Sequence, residues 1–457
     1  MDRQYIVNQL RIFANIYENG YVFRSYKPVY WSPSSKTALA ESELVYKDGF
    51  KCKSVYFRFQ VLNFDKANIA GLDDLPTSTS KNPVHVYALV WTTTPWNLPM
   101  NNAIAYSSNF QYSAIEIIGS SDGPIREIYI VASECVENLR KTLNKDIRTF
   151  GTFASSALQG LFYRSQLHNE LALPFLSSSN VKRSKGTGLV HTSYAHGLDD
   201  YNVRFVSYEF VSQVVLGVLS HKEMLNATWM RKKNVLKVTD FFKSRPCDWR
   251  TGKPVLIRSS EQWFFDVSKV GIQCAERMSS NEIEISSGKT GLREKLISQL
   301  VTRPFWCISR QRVWGVPIPY LVDKESGETK TSTEFIRFVA DLILNNGTQV
   351  PGEHPTNLWW KISLEDLLKH ECCPKDFSAL ASANFKKGTD IMDVWLDSGV
   401  AWHTALSGWT NRSMLSSTLY WKERINFKGG SKHLCLLLWL LMVSFHSRNF
   451  GAWNGTR

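Results

Sequence analysis

Apolar side chains recur at helical spacing from the first residues. Ile6, Leu10, Phe13 and Tyr17 line one face, Asp2 stands ahead of them as an N-cap, and Asn19-Gly20 follows as a stop. The spacing predicts a helix that opens the chain. An extended stretch with Pro28 and Pro33 comes next, then a short helical pattern over Thr37 to Glu43. From about 54 to 183 the pattern changes to short β-rich runs: VYFRFQVL (55–62), VHVYALVWTTT (84–94), YSAIEII (112–118) and REIYIVAS (126–133). Turn clusters PTSTSKNP (76–83) and GSSDGP (119–124) separate them. This is the pattern of a compact β-rich module inserted in a larger α/β protein. Periodicity is weak over 203–245. Beyond it, VLIRSS and WFF read as strands beside the turn DWRTGKP (248–254), and Ser363 with Asp366 three residues on opens a helix through His370.

Composition sets the frame for these elements. At 457 residues the chain is long enough for two to four domains. An apolar fraction of 43% excludes disorder throughout. Lys plus Arg exceed Asp plus Glu by 54 − 41 = 13, which favours a polyanionic partner such as nucleic acid. A simply basic soluble enzyme fits that excess equally well. The eight cysteines are scattered without a C-x-x-C pair, the pattern of reduced intracellular thiols. Cys372-Cys373 has no second pair at ligand spacing, so no metal site is expected. No apolar h-region or Arg-rich presequence is legible at the N-terminus. The apolar run Leu434–Phe445 is too short for a hydrocarbon core of roughly 30 Å, so no membrane span is expected.

Several strings carry candidate chemistry. VWTTTPWNLPMNNAIAY (90–106) ends a β-branched run in three hydroxyls, which offer donors and acceptors to water or a sugar. On spacing alone a satisfied strand end, with Thr94 capping a turn, is the better reading. GTGLVHTSYAHGLDDYNV (186–203) crowds His191, His196, Asp199 and Asp200 behind Gly186 and Gly188. A metal site or a Gly-rich turn with solvated acids are the alternatives there, and no Gly-Lys-Ser/Thr follows to make a Walker loop. CDWRTGKPVLIRSSEQWFF (247–265) and RPFWCISRQRVWGVPIPY (303–320) set arginines beside aromatics, which suits phosphate contact and base stacking or simple packing.

With RSYKPVYWSPSSKTALAESELVY (24–46) and DIMDVWLDSGVAWHTAL (390–406), these strings resemble, in order, the isoleucine-type class I aminoacyl-tRNA synthetases. The wording is nearest the mitochondrial and bacterial-like branch, and the resemblance covers nearly all of 1–420. It implies an α/β fold: a split Rossmann-type class I synthetase catalytic domain, here partial, with an inserted β-rich editing domain. The divisions expected are 1–53 (partial catalytic domain and linker ribbon), 54–235 (editing domain), 236–420 (return ribbon and partial catalytic domain) and 421–457 (tail). Carried over from the family, Thr92, Thr93 and Thr94 line a hydrolytic pocket. Asp200 holds the α-ammonium of the wrong amino acid, and His191 helps size the pocket. Tyr194 stands where the family has proline. Arg310, Gln311, Arg312 and Trp314 lie near the tRNA acceptor end, and Asp397, Ser398 and Gly399 belong to the adenylate-site element.

The activity implied is ATP-dependent charging of tRNA(Ile) by the full enzyme, with hydrolytic editing of Val-tRNA(Ile). A hydrophobic pocket separates substrates differing by one methylene by only about 1–3 kcal/mol, the isoleucine–valine pair being the standard illustration of that limit. The family uses ATP with Mg for synthesis, and editing requires no cofactor or metal. The partners implied are tRNA(Ile), isoleucine and mischarged valine. A monomer is expected, mitochondrial by branch or alternatively cytoplasmic. The His-Ile-Gly-His and Lys-Met-Ser-Lys-Ser signatures are absent from these residues. Arg277-Met278-Ser279-Ser280 precedes the Asp-Ser-Gly element and is therefore in the wrong order. The expectation is a truncated form without activation activity; the alternatives are a free-standing trans-editing deacylase or a non-catalytic tRNA-binding remnant. Trp421-Lys422-Glu423-Arg424-Ile425-Asn426 reads as the family's sequence translated with one nucleotide lost, so 421–457 is expected to be an out-of-frame tail.

Overall fold

A computed structural model describes residues 2–65, 69–79, 83–119, 125–165, 171–183, 186–203, 234–280, 291–302, 304–346 and 355–406. The opening helix spans Arg3–Glu18, and the Asp2 carboxylate caps it by accepting the Tyr5 N–H at 2.9 Å. Ile6, Leu10 and Phe13 are buried on its apolar face. They pack in one core with Phe335, Val339 and Ile343 of helix Thr333–Asn346 and with Trp263, Phe265, Trp306 and Leu396. Ser363 caps helix Leu364–Lys369 as its spacing predicts, accepting the Asp366 N–H at 3.0 Å.

Strands β1 (Val22–Ser32) and β2 (Thr37–Leu39) form a hairpin, and β13 (Leu256–Asp266) and β14 (Phe305–Cys307) complete the sheet in the order β14-β13-β1-β2. The helical pattern expected over 37–43 is thus replaced by a strand and a 3-10 turn at Glu41–Glu43. Lys36 takes a left-handed φ of 52° and turns the chain back, so that Ala38 pairs with Trp31. Pairing across the sheet and burial of Leu39 against Leu44 and Val255 outweigh a local helical tendency.

β3 (Leu44–Gln60) and β12 (Val235–Asp248) run antiparallel from Leu44↔Asp248 to Phe57↔Val235. The boundaries expected at 53/54 and 235/236 therefore fall inside two strands that continue unbroken from ribbon into module. Four more strands, β4 (Val84–Thr92), β6 (Gln111–Ile117), β7 (Arg126–Ala132) and β8 (Ile147–Ala154), complete a sheet ordered β12-β3-β4-β7-β6-β8. Alternation sorts its side chains between two cores. Phe57, Phe59, Val90, Ile128 and Ile130 face one, and Tyr56, Leu89, Tyr129 and Val131 face the other beneath helix Val136–Leu143.

The first core also receives Ile104, Phe175 and Leu189 from a second sheet, which is what positions the site. That sheet comprises β5 (Ala103–Tyr106), β9 (Phe162–Arg164), β10 (Ala172–Ser177) and β11 (Leu189–Thr192), in the order β11-β5-β10-β9. The whole is mixed α/β with several sheets, and its β-rich part is the insertion read from the sequence. Among the described residues no helix is long and apolar enough to cross a membrane. Leu434–Phe445 and the tail 421–457 lie outside them.

Candidate functional site

β4 carries the threonine run to its end. Thr92 is buried, its Oγ1 lies 3.2 Å from Thr94 Oγ1, and it accepts the Thr94 N–H at 3.1 Å. Thr93 is held differently: its hydroxyl oxygen accepts from Lys243 Nζ of β12 at 3.0 Å. Pro95 starts a 3-10 turn, Pro95–Met100, that presents Trp96 and Asn97.

His191 on β11 meets this turn. Its Nε2 donates to Asn97 Oδ1 at 3.1 Å and its Nδ1 accepts from Asn101 Nδ2 at 2.7 Å. Asn101 Oδ1 in turn accepts from the Tyr163 hydroxyl. Burial, with smaller help from His196, pushes His191 down to about 3, so the ring is neutral at physiological pH. It is a shaped wall with a fixed tautomer and carries no charge.

The turn after β11 delivers the acid. Asp200 lies in the short helix Leu198–Val203, and its carboxylate accepts the Ser193 N–H at 2.9 Å. Burial pushes its carboxyl up to about 7, with Asp199 adding repulsion and the Ser193 bond opposing it. A carboxylate held against its desolvation penalty is primed for a cationic partner. His196 donates through Nδ1 to the Ile257 carbonyl at 3.0 Å and meets the Trp96 ring edge-on at 5.3 Å. Two contacts, His191–Asn97 and Trp96–His196, thus join the segment after the threonines to the loop that carries Asp200. At Tyr194, where proline was the family expectation, the N–H donates to Asn102 Oδ1 at 3.0 Å, a bond proline cannot make.

Gly197 leaves room for the acid: a Cβ there would stand 2.7 Å from the Asp200 carboxyl carbon. Gly197→Ala should fold normally, turn the carboxylate away from Ser193 and slow any Asp200-dependent reaction by about tenfold, the worth of one such hydrogen bond. Steady-state kinetics beside a thermal melt checks this, and an unchanged rate rejects the role of the contact.

Residues 1–448 match the family model of class I tRNA synthetases (I, L, M and V). The chain belongs to that family. The mitochondrial isoleucine–tRNA ligase of Macaca fascicularis is 35% identical over 431 residues, which cover 91% of this chain and 41% of that protein. The isoleucine–tRNA ligase of Prochlorococcus marinus (strain MIT 9515) is 32% identical, with 86% and 40% covered. The chain thus spans about 40% of the length of these curated relatives. Among solved structures, the editing domain of P. falciparum cytosolic leucyl-tRNA synthetase is 13% identical, covering 38% of this chain and 71% of that one with a TM-score of 0.28.

The other family-matched positions of this class I synthetase chain fall into two places. Arg310 is buried between Glu43 (Nε to Oε2, 3.1 Å) and Asp393 (Nη2 to Oδ2, 2.6 Å). Gln311 bonds the Ala38 N–H, Gln262 and Asp390, and Arg312 pairs with Glu43 at 2.6 Å. The contact to tRNA expected of Arg310 does not fit this placement, because its guanidinium is spent on two carboxylates inside the protein. Trp314 is 68% exposed beside Val313 and remains on the surface. Asp397, Ser398 and Gly399 lie on helix Val394–Leu406. Burial pushes the Asp397 carboxyl up to about 6 despite a hydrogen bond from Gln9, and its carbonyl accepts from Tyr5. The threonine site and the Asp397 element sit in separate cores.

Sequence reading missed Asn97, Asn101, Gly197 and Lys243. The first three lie within the quoted strings, but nothing local marks an asparagine as the clamp of a distant histidine. Among the described residues no group of three or more His, Cys, Asp or Glu could hold a metal.

Proposed function

We propose that this chain carries the hydrolytic editing activity of an isoleucine–tRNA ligase, removing valine from Val-tRNA(Ile). The observation that carries the reading is the half-buried Asp200, tied through the His191–Asn97 and Trp96–His196 contacts to the turn behind three threonines. Ionised Asp200 takes the α-ammonium of the esterified amino acid, and neutral His191 limits the side chain admitted. Water attacks the ester carbonyl and the carbon–oxygen bond to the terminal ribose breaks. The proton from water goes to the ribose oxygen, leaving valine and uncharged tRNA(Ile). Threonine hydroxyls position that water and the developing oxyanion. The basic excess and exposed Trp314 suit the tRNA partner. Mitochondrial residence follows the Macaca fascicularis relative and is part of the proposal, as is action as a monomer.

Charging with isoleucine needs ATP and Mg at the Asp397–Gly399 element. The residues present supply Asp397, whose backbone carbonyl accepts from Tyr5, and neither phosphate-binding signature. No activation step is assigned to them. The test compares two reactions of the purified chain: deacylation of Val-tRNA(Ile) and isoleucine-dependent ATP–pyrophosphate exchange. Deacylation without exchange is expected. Salt-sensitive tRNA binding without hydrolysis would reject editing in favour of a binding remnant, and measurable exchange would show that these residues activate isoleucine. Turnover of Val-tRNA(Ile) supplied by a separate ligase would identify a trans-acting deacylase.

A further inference from the structure

We infer that Lys243 is a positioning residue of the same site, acting through the Thr93 hydroxyl. The inference rests on the editing reading and adds a residue from the returning strand.

The placement follows from register. Phe241 and Lys243 are two apart on β12 and share a face; Trp91 lies near the end of β4, and Thr93 is the first residue past it. β3 lies between the two strands. Opposite Phe241 it offers the small Cys52, across which the Phe241 ring reaches; Lys243 stands opposite Phe50. Phe241 meets the Trp91 ring edge-on at 5.4 Å, and Lys243 Nζ reaches Thr93 Oγ1 at 3.0 Å and the Thr93 carbonyl at 3.5 Å. The ammonium is half-buried, and among the described residues no carboxylate forms an ion pair with it. Its charged neighbour is Arg245 on its own strand, with the Cys52 thiol on β3. Burial and Arg245 both lower its pKa, and Cys52 opposes them.

An ammonium has donors only, so Thr93 Oγ1 is the acceptor in this bond. The Thr93 hydroxyl hydrogen is then committed elsewhere and becomes a better donor, since a hydroxyl that accepts from a cation is polarised. A fixed, polarised donor is what a developing ester oxyanion needs. The sequence Lys243 → Thr93 → substrate oxygen assigns the threonine its direction and the lysine its charge. Neither is supplied by Thr92 or Thr94, which bond each other.

The experiment measures deacylation of Val-tRNA(Ile) by the full chain and by Lys243→Met, Lys243→Arg, Thr93→Val and the Lys243→Met/Thr93→Val pair. Lys243→Met should lower kcat by about tenfold, the order expected for one charge-assisted bond, with KM nearly unchanged. Lys243→Arg should restore most of kcat and remove the alkaline fall expected of the wild type as the lysine loses its proton. In the Thr93→Val background, Lys243→Met should cost nothing further. Additive losses would overturn action through Thr93. Full activity in Lys243→Met beside loss in Thr93→Val would overturn the inference and leave the editing reading standing. No hydrolysis by the wild type would overturn both. A fold defect in Lys243→Met is separated by Lys243→Arg, whose failure to restore kcat in a natively melting protein also overturns it.

Discussion

Asp200→Ala should abolish nearly all hydrolysis of Val-tRNA(Ile) while leaving the thermal melt within a few degrees of wild type. Removing one partner of a buried charge pair costs about 2–5 kcal/mol, or roughly 30- to several thousand-fold in rate. The substitution leaves no buried charge behind, because the ammonium belongs to the substrate. It releases only the Ser193 N–H. The pH dependence gives the effect its signature. With the Asp200 carboxyl at about 7, the ionised form that holds an ammonium accumulates as pH rises through that value. Hydrolysis by the wild type should rise over that range, and by Asp200→Asn it should stay low and flat. Stability runs the other way. The folded carboxyl titrates about 7 against 3.8 when unperturbed, so the folded state binds the extra proton between those values. That contribution is fully present below about 4 and lost as pH climbs through 7. A rate that is flat across pH 6–8 in the wild type would remove Asp200 from the reaction.

Arg310→Met should have the largest effect on stability. It leaves Asp393 buried without its cation and Glu43 with Arg312 as its remaining partner. Breaking a buried ion pair by removing one partner costs about 3–5 kcal/mol. Burial alone would raise Glu43, yet Arg310 and Arg312 hold it below the usual carboxylate range, while burial keeps Asp393 above it. One guanidinium therefore serves two unequal acids. Arg310→Lys should recover little, since an ammonium cannot span both oxygens as the planar fork does. Denaturant melts monitored by tryptophan fluorescence report this directly, because Trp306 donates to Asp393 at 3.1 Å. A shift below about 1 kcal/mol, the scale of surface pairs, would show the network to be ornamental.

These two residues also mark what the amino-acid order disclosed and what it hid. The opening helix and the Ser363 cap were legible because their signals are local: a stripe, a cap and a stop within one run. The strands 84–92 and 126–132 were legible because β-branched and aromatic residues are concentrated between turn clusters. β12 was not, because one face is largely exposed and its alternation of Val238, Asp240 and Phe242 with Thr239, Phe241 and Lys243 mixes polar and apolar on both sides. The Thr37–Leu39 strand was hidden by a left-handed turn at Lys36 that only sheet pairing makes worthwhile. Asp200 and the threonines were picked out by resemblance. Spacing alone read the threonines as a satisfied strand end and left a metal site and a turn with solvated acids open for Asp200, whose partial burial is a tertiary property. Arg310 was placed near the tRNA by resemblance, while an arginine beside aromatics also reads as a packing cluster. Its partner Asp393 lies 83 residues away.

The β3–β12 pairing has one more consequence. Leu44 faces Asp248, so the 200-odd residues between them leave and rejoin the parent fold about one strand spacing, roughly 5 Å, apart. A gap of that width can be closed by a tight hairpin turn. A unit attached in this way is portable. It can be exchanged at one pair of adjacent backbone positions while the helices and strands of its host keep their places.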